Sequence, residues 1–122
     1  MDWPIWSEKF LAKARRSGYK SILLGKTIVP KDDEDITKNA DGTTASADDV
    51  KKKQNLRDLN EEAYEELLLS IDHKQEQGRI AFTLITGSKD KDYADGNARE
   101  AWKRLDGIRS LFCSSIVDRI FS

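Results

Sequence analysis

The 122-residue chain has one cysteine, one histidine and two prolines, and aromatic residues make up only 8% of it. A single thiol, Cys113, has no internal disulfide partner, and one histidine, His73, cannot supply the constellation of ligands that a zinc site needs. No apolar run approaches the ~20 residues that span a bilayer. The N-terminal "MDWPIWSEKF" also lacks a basic stretch followed by an apolar one, so the expectation is a chain that stays in the reducing cytoplasm, away from membranes. Phosphate-cradling glycine motifs are missing as well, because the glycines fall where helices would end and in loops.

What the chain has in abundance is charge. Charged residues are 35% of the sequence and hydrophobic ones 38%, at a net charge of −1. That composition suits a helix-prone chain with one modest core. The charge is unevenly spread. Residues 1–31 carry Lys9, Lys13, Arg15, Arg16, Lys20, Lys26 and Lys31 against Asp2 and Glu8, whereas residues 32–76 lean acidic. Such asymmetry can steer head-to-tail contacts between copies or attract polyanions.

The apolar spacing predicts an all-α fold, a small bundle of about five to six helices. In "DWPIWSEKFLAKARRSG", Trp6, Phe10 and Ala14 share a face with Trp3, opposite Lys9, Lys13 and Arg16, and Gly18 marks the end. "YKSILLG" reads as a short second helix closed by Gly25. From Lys31 to Ala45 large apolar residues are nearly absent, which predicts a mobile acidic loop. Ser46 and Asp49, in capping-box spacing, open a long helix with Leu56, Leu59, Ala63 and Leu67 on one stripe and Tyr64, Leu68 and Ile71 beside them. "GRIAFTLITG" is expected to be helical, with Ile80, Ala81, Leu84 and Ile85 inward and Gly87 as its stop, although its β-branched residues also suit a strand. Asp95 is the expected cap of a further helix whose stripe is Ala98, Ala101, Trp102 and Leu105. The domain so defined spans residues 1–106. Residues 107–122 form a tail in which Ile108, Leu111, Phe112, Ile116 and Ile120 recur at helical spacing, either as a last core helix or as an exposed surface for self-association.

Little of this points to catalysis. His73 stands beside Asp72 with no nucleophile placed by sequence to use it, and catalysis needs a positioned set of groups. "DDED" at Asp32 to Asp35 lacks the glycine turn and ligand spacing of a calcium loop, so a solvated acidic stretch is the expectation. Cys113 sits on the apolar stripe of the tail and reads as a small hydrophobe. No catalytic residue, metal or cofactor is expected, nor a small-molecule substrate. Binding is the remaining class: "KFLAKARRSGYK" interleaves Lys9, Lys13, Arg15, Arg16 and Lys20 with Phe10 and Tyr19, a pattern for weak, sequence-tolerant RNA contact through phosphates and stacking.

Taken in order, "WPIWSEKFLAKARRSGYKSILLGK", a polar loop after "VP", "AYEELLLSID", "GRIAFTLITGSK" and "NAREAWKRL" resemble the N-terminal part of the Gag polypeptide of copia-type LTR retrotransposons. Trp6, Phe10, Gly18, Tyr19, Ile22, Leu23, Gly25, Ala101, Trp102 and Leu105 carry the resemblance, which covers about residues 3–106. It implies an all-helical capsid-type domain whose copies assemble around element RNA, with Trp6 and Trp102 in one core. It also implies a truncated or diverged form, because "DGIRSLFCSSIVDRIFS" stands where the family continues with a longer helical region, and no Cys/His zinc knuckle follows. The other function class carried forward is a degenerate or host-encoded remnant acting as a small helical protein-interaction module.

Overall fold

The computed structural model describes residues 3–39, 41–71, 74 and 76–107. Among them are five helices, α1 (Trp3–Ser17), α2 (Lys20–Leu23), α3 (Ala47–Ser70), α4 (Glu76–Thr86) and α5 (Ala98–Gly107), and no strand is formed. The fold is a small all-α bundle, as the apolar spacing predicts. α1 stops where Gly18 stands: the Gly18 and Tyr19 N–H groups both donate to the Ala14 carbonyl, and the chain turns into α2. α3 opens on Ser46, whose hydroxyl accepts from the Asp49 N–H at 3.2 Å. That bond satisfies one of the four amides a helix start leaves unpaired.

The core gathers Phe10 and Ala14 of α1, Ile22 and Leu23 of α2, Ala63, Tyr64 and Leu67 of α3, Ala81 and Ile85 of α4, and Ala98, Ala101, Trp102 and Leu105 of α5. Small residues on four helices let the backbones approach; Ala14, Ala63, Ala81, Ala98 and Ala101 are all fully buried. On α4 the inward set is narrower than expected. Ala81 and Ile85 are buried, but Ile80 is 39% exposed and its neighbour Phe82 43%. One short helix packed mainly on α5 can hide only a single line of side chains, and Ile80 falls outside it.

Two expectations are corrected. The side chain that caps α5 is Asn97, whose Oδ1 accepts from the Glu100 N–H at 3.1 Å; Asp95 stands two residues too early, on the far side of the Gly96 turn. The acidic loop, expected to be mobile, is built from hydrogen-bonded turns over its described residues, 31–39 and 41–45. Asp35 accepts from the Thr37 N–H at 2.9 Å and Asp41 from the Thr43 N–H at 3.0 Å, the same Asp-x-Thr turn made twice. The loop is also tied down. Arg57 donates to the carbonyls of Lys31 and Glu34, the Asp32 N–H donates to the Asp92 carbonyl at 2.8 Å, and the Ala94 N–H returns a bond to the Asp32 carboxylate at 2.7 Å. Polar residues hold this segment in place of apolar burial, so hydropathy alone misses its order.

A buried polar clamp sets the direction of α5. Asn60, 6% exposed in the middle of α3, donates through Nδ2 to the Gly96 carbonyl at 2.9 Å and accepts through Oδ1 from the Ala98 N–H at 3.0 Å. Gly96 has φ +124°, and a Cβ there would overlap the Tyr64 ring. From this anchor α5 delivers Trp102 to α1. The Trp102 ring stacks at 5.9 Å on Trp6 and 5.8 Å on Phe10, with Trp6 and Phe10 at 5.4 Å from each other. Trp102 is 5% exposed while Trp6 is only half-buried. Truncating Trp102 to alanine therefore costs about 3–5 kcal/mol and clearly more than Trp6→Ala. Urea denaturation of the two variants checks this, and equal losses contradict the asymmetry.

Candidate functional surfaces

The ten residues that carry the Gag resemblance lie far apart in the chain and close together in space. Trp6 and Phe10 meet Trp102 in the aromatic stack, and Tyr19 reaches Phe10 at 6.2 Å. Ile22, Leu23, Ala101 and Leu105 fill the adjoining core, each no more than 1% exposed. Gly25 closes α2 at φ +74°, and a Cβ at that position would sit 2.7 Å from the Arg99 Nε. Arg99 uses the space to donate to the Leu23 carbonyl at 2.7 Å, which joins the end of α2 to the first turn of α5. Gly18 supplies the turn that points Tyr19 inward.

The basic residues divide into two kinds. Lys9, Arg15 and Arg16 are exposed on α1, and Lys20 is half-exposed at the start of α2. Lys9, Lys13 and Arg16 fall at i, i+4 and i+7 and so run along one side of the helix. Lys13 is partly spent: its ammonium lies 3.0 Å from the Glu66 carboxylate, which also accepts from the Tyr19 hydroxyl at 2.7 Å. The stacking half of the expected RNA pattern is corrected. Phe10 is 4% exposed and Tyr19 fully buried, so neither ring is open to a base, and only the cations face outward. An amphipathic helix that alternates base and ring in sequence puts them on opposite sides in space.

Opposite in sign is the outer surface of α3, where Asp58, Glu61, Glu62 and Glu65 are all exposed. The Glu61 carboxyl is pushed up from the ordinary glutamate range, first by partial burial and then by the neighbouring charges of Asp95, Asp58 and Glu65. That shift marks a local excess of negative charge. The molecule thus shows a cationic side on α1 and an anionic side on α3.

Sequence reasoning did not single out Asn60, Arg99 or Glu66. Asn60 has a readable signal, a polar residue one position past Leu59 within the apolar stripe; Arg99 and Glu66 are indistinguishable from solvated helix charges. The four acidic residues of "DDED" form no ligand cluster, and among the described residues no group of three or more His, Cys, Asp or Glu could hold a metal ion. No helix among them is long and apolar enough to cross a membrane. His73, Cys113 and the tail residues Ile108, Leu111, Phe112, Ile116 and Ile120 lie outside the described residues. Compared with known protein families, curated proteins and solved structures, the chain has no match.

The Lys13, Glu66 and Tyr19 triad makes stability depend on pH in a defined direction. Burial alone would raise the Glu66 carboxyl, but the Tyr19 hydroxyl and the Lys13 ammonium outweigh it and hold it below the usual range. A depressed carboxyl contributes stability that is present above its unfolded value and lost as pH falls through its folded one. Tyr19 is raised by burial and then by Glu66, so its contribution is kept below about pH 10 and lost as pH rises beyond. Tyr19→Phe is expected to cost about 1.5–3 kcal/mol at pH 7, the worth of a hydrogen bond to a charged acceptor. It also flattens the loss of stability as pH falls below about 4.5, the ordinary glutamate value. Thermal melts of both chains across that range read the effect, and parallel curves contradict it.

Proposed function

We propose that this chain is a structural, non-enzymatic Gag-like protein of a copia-type retrotransposon, a capsid-type domain whose copies associate with one another around element RNA. What supports the reading is the convergence of the ten resemblance residues, from Trp6 to Leu105, in the contact between α1, α2 and α5. They serve packing and turning, the duties expected of a structural domain.

Association has a physical basis in the two charged sides. The α1 side of one copy, with Lys9, Arg15 and Arg16, complements the α3 side of another, with Asp58, Glu61, Glu62 and Glu65. A contact between two different patches is heterologous and propagates into rings or open arrays, the geometry a shell requires. Contacts of this kind are weak singly and are screened over about 10 Å at 0.1 M salt. Light scattering of the purified chain is expected to show a mass that grows with concentration at low salt, falls as salt is added, and is reduced by Arg15→Glu with Arg16→Glu. A chain that stays monomeric at every concentration and at low salt removes the capsid reading and leaves the small interaction module.

RNA contact through α1 follows from phosphate neutralisation alone, since both nearby rings are buried. Binding of a short single-stranded RNA, followed by fluorescence anisotropy, is expected to be weak, indifferent to sequence and steeply dependent on salt. Arg15→Gln with Arg16→Gln abolishes it. Sequence-selective or salt-independent binding refutes this arrangement.

A further inference from the structure

We propose that the cleft between residues 25–29 and the first turn of α5 binds the C-terminal residue of a partner polypeptide, taking its aliphatic side chain together with its free carboxylate. The cleft has a volume of about 210 Å³, and its lining includes Ile22, Thr27, Ile28, Val29, Asn97 and Arg99. Ile22 and Val29 are buried core residues, whereas Ile28 is 84% exposed. Drug-sized ligands fill pockets of about 300–1,000 Å³, so this cleft suits something smaller, on the scale of one residue.

Arg99 decides what kind of residue that is. It is the only charged side chain in the lining. Its Nη1 donates to the Leu23 carbonyl at 2.7 Å, which fixes the guanidinium in place, and among the described residues no carboxylate pairs with it. Lys26, exposed between Gly25 and Thr27, adds a second positive charge beside the cleft. Acidic charge gathers instead around Tyr93, from Asp92, Asp90, Glu34 and Asp32, so an anion in the cleft is drawn to Arg99. A planar guanidinium with N–H groups to spare matches a carboxylate through charge-assisted hydrogen bonds. The carboxylate of an Asp or Glu side chain would bring a polar backbone and stem against Ile22 and Val29, whereas a chain terminus carries its charge and an aliphatic side chain on one Cα. One terminal residue therefore satisfies both halves of the cleft. The backbone offers a further hold. Ile28 and Val29 belong to no helix, Pro30 favours extended backbone at Val29, and among the described residues the N–H groups of Ile28 and Val29 have no acceptor. An extended peptide supplies such acceptors. The inference is independent of the Gag reading, because it uses neither of the two charged sides.

Titration of the isotope-labelled full chain with the peptide N-acetyl-dialanyl-leucine, followed by NMR, tests the assignment. The backbone amides of Thr27 and Ile28 and the Nε–H of Arg99 are expected to shift to saturation. The C-terminal carboxamide of the same peptide is expected to bind at least about tenfold more weakly, the loss of a hydrogen bond made between charges. Isocaproate, which keeps the carboxylate and the branched stem without the peptide, is also expected to bind about tenfold more weakly, because it cannot pair with the backbone at Ile28 and Val29. Arg99→Gln and Ile28→Glu each bring the acid down to the level of the carboxamide. Ile28 is exposed, so Ile28→Glu keeps the fold and decides the question even where Arg99→Gln, which also gives up the Leu23 bond, does not. Equal affinity for acid and carboxamide overturns the proposal, as does the absence of saturable shifts at Thr27, Ile28 and Arg99. Equal affinity for isocaproate overturns the assignment to a chain end.

Discussion

The two ends of this fold are joined by the insertion of Trp102 beside Trp6 and Phe10. The three rings, stacked within 6 Å of one another, join helices whose sequences are almost a whole domain apart. Stacking of this kind is worth about 0.5–1.5 kcal/mol per pair beyond the area it buries. It is also demanding in geometry, so the backbone upstream of Trp102 has to be aimed. Asn60 performs that aiming by holding the Gly96 carbonyl and the Ala98 N–H together, while Gly96 allows the turn against Tyr64 and Asn97 caps the helix that follows. Removing the polar clamp would leave two buried backbone groups without partners, a penalty of about 1–3 kcal/mol each before any apolar contact is lost. Polar and apolar terms are coupled here: the clamp positions the ring, and the ring's burial excludes water from the clamp.

The helices were legible because their burial follows a period that sequence displays directly. Phe10 with Ala14, Ala63 with Leu67, and Ala98 with Ala101, Trp102 and Leu105 are all core residues at i, i+3 or i+4. Order that depends on hydrogen bonds between distant segments left no such period. The 31–45 segment looks featureless by hydropathy, yet its path is set by Arg57 on α3 and by Asp92 and Ala94 ahead of α5, partners whose proximity exists only in the folded chain. Sequence reading names Asp95 as the helix cap, yet Asn97, whose side chain caps equally well, takes that place. The positive φ of Gly96 decided it by breaking the backbone between them. At the surface, alternating cations and rings in "KFLAKARRSGYK" suggested a shared binding face, and helical geometry separated them into an inner aromatic side and an outer basic one.

That separation shapes what the surface can do. With Phe10 and Tyr19 committed to the core, α1 offers a polyanion or an acidic protein face only charge, and charge alone discriminates poorly among partners. Lys13 is drawn further inward by Glu66, where the same carboxylate also satisfies the Tyr19 hydroxyl. Exposed pairs of this kind contribute little to stability singly. The value of Glu66 lies in its second bond, which gives a fully buried phenol an acceptor that the apolar core does not contain. One carboxylate thereby fixes the C-terminal turn of α1, the start of α2 and the last turns of α3 with respect to one another.

The two ends of α3 solve the problem of a thin core differently. Near its middle and first half, Arg57 and Asn60 bind backbone groups of two incoming segments, so polar contacts exclude water without large apolar side chains. Near its last turns Glu66 joins Tyr19 and Lys13, and Leu67 and Ile71 are buried while Leu69 is exposed. A domain of this length removes only about 65–70% of its chain surface from water, so aliphatic side chains such as Leu69 stay exposed at that end. Each exposed aliphatic side chain brought out of water there contributes on the order of 1.5–3 kcal/mol at full burial.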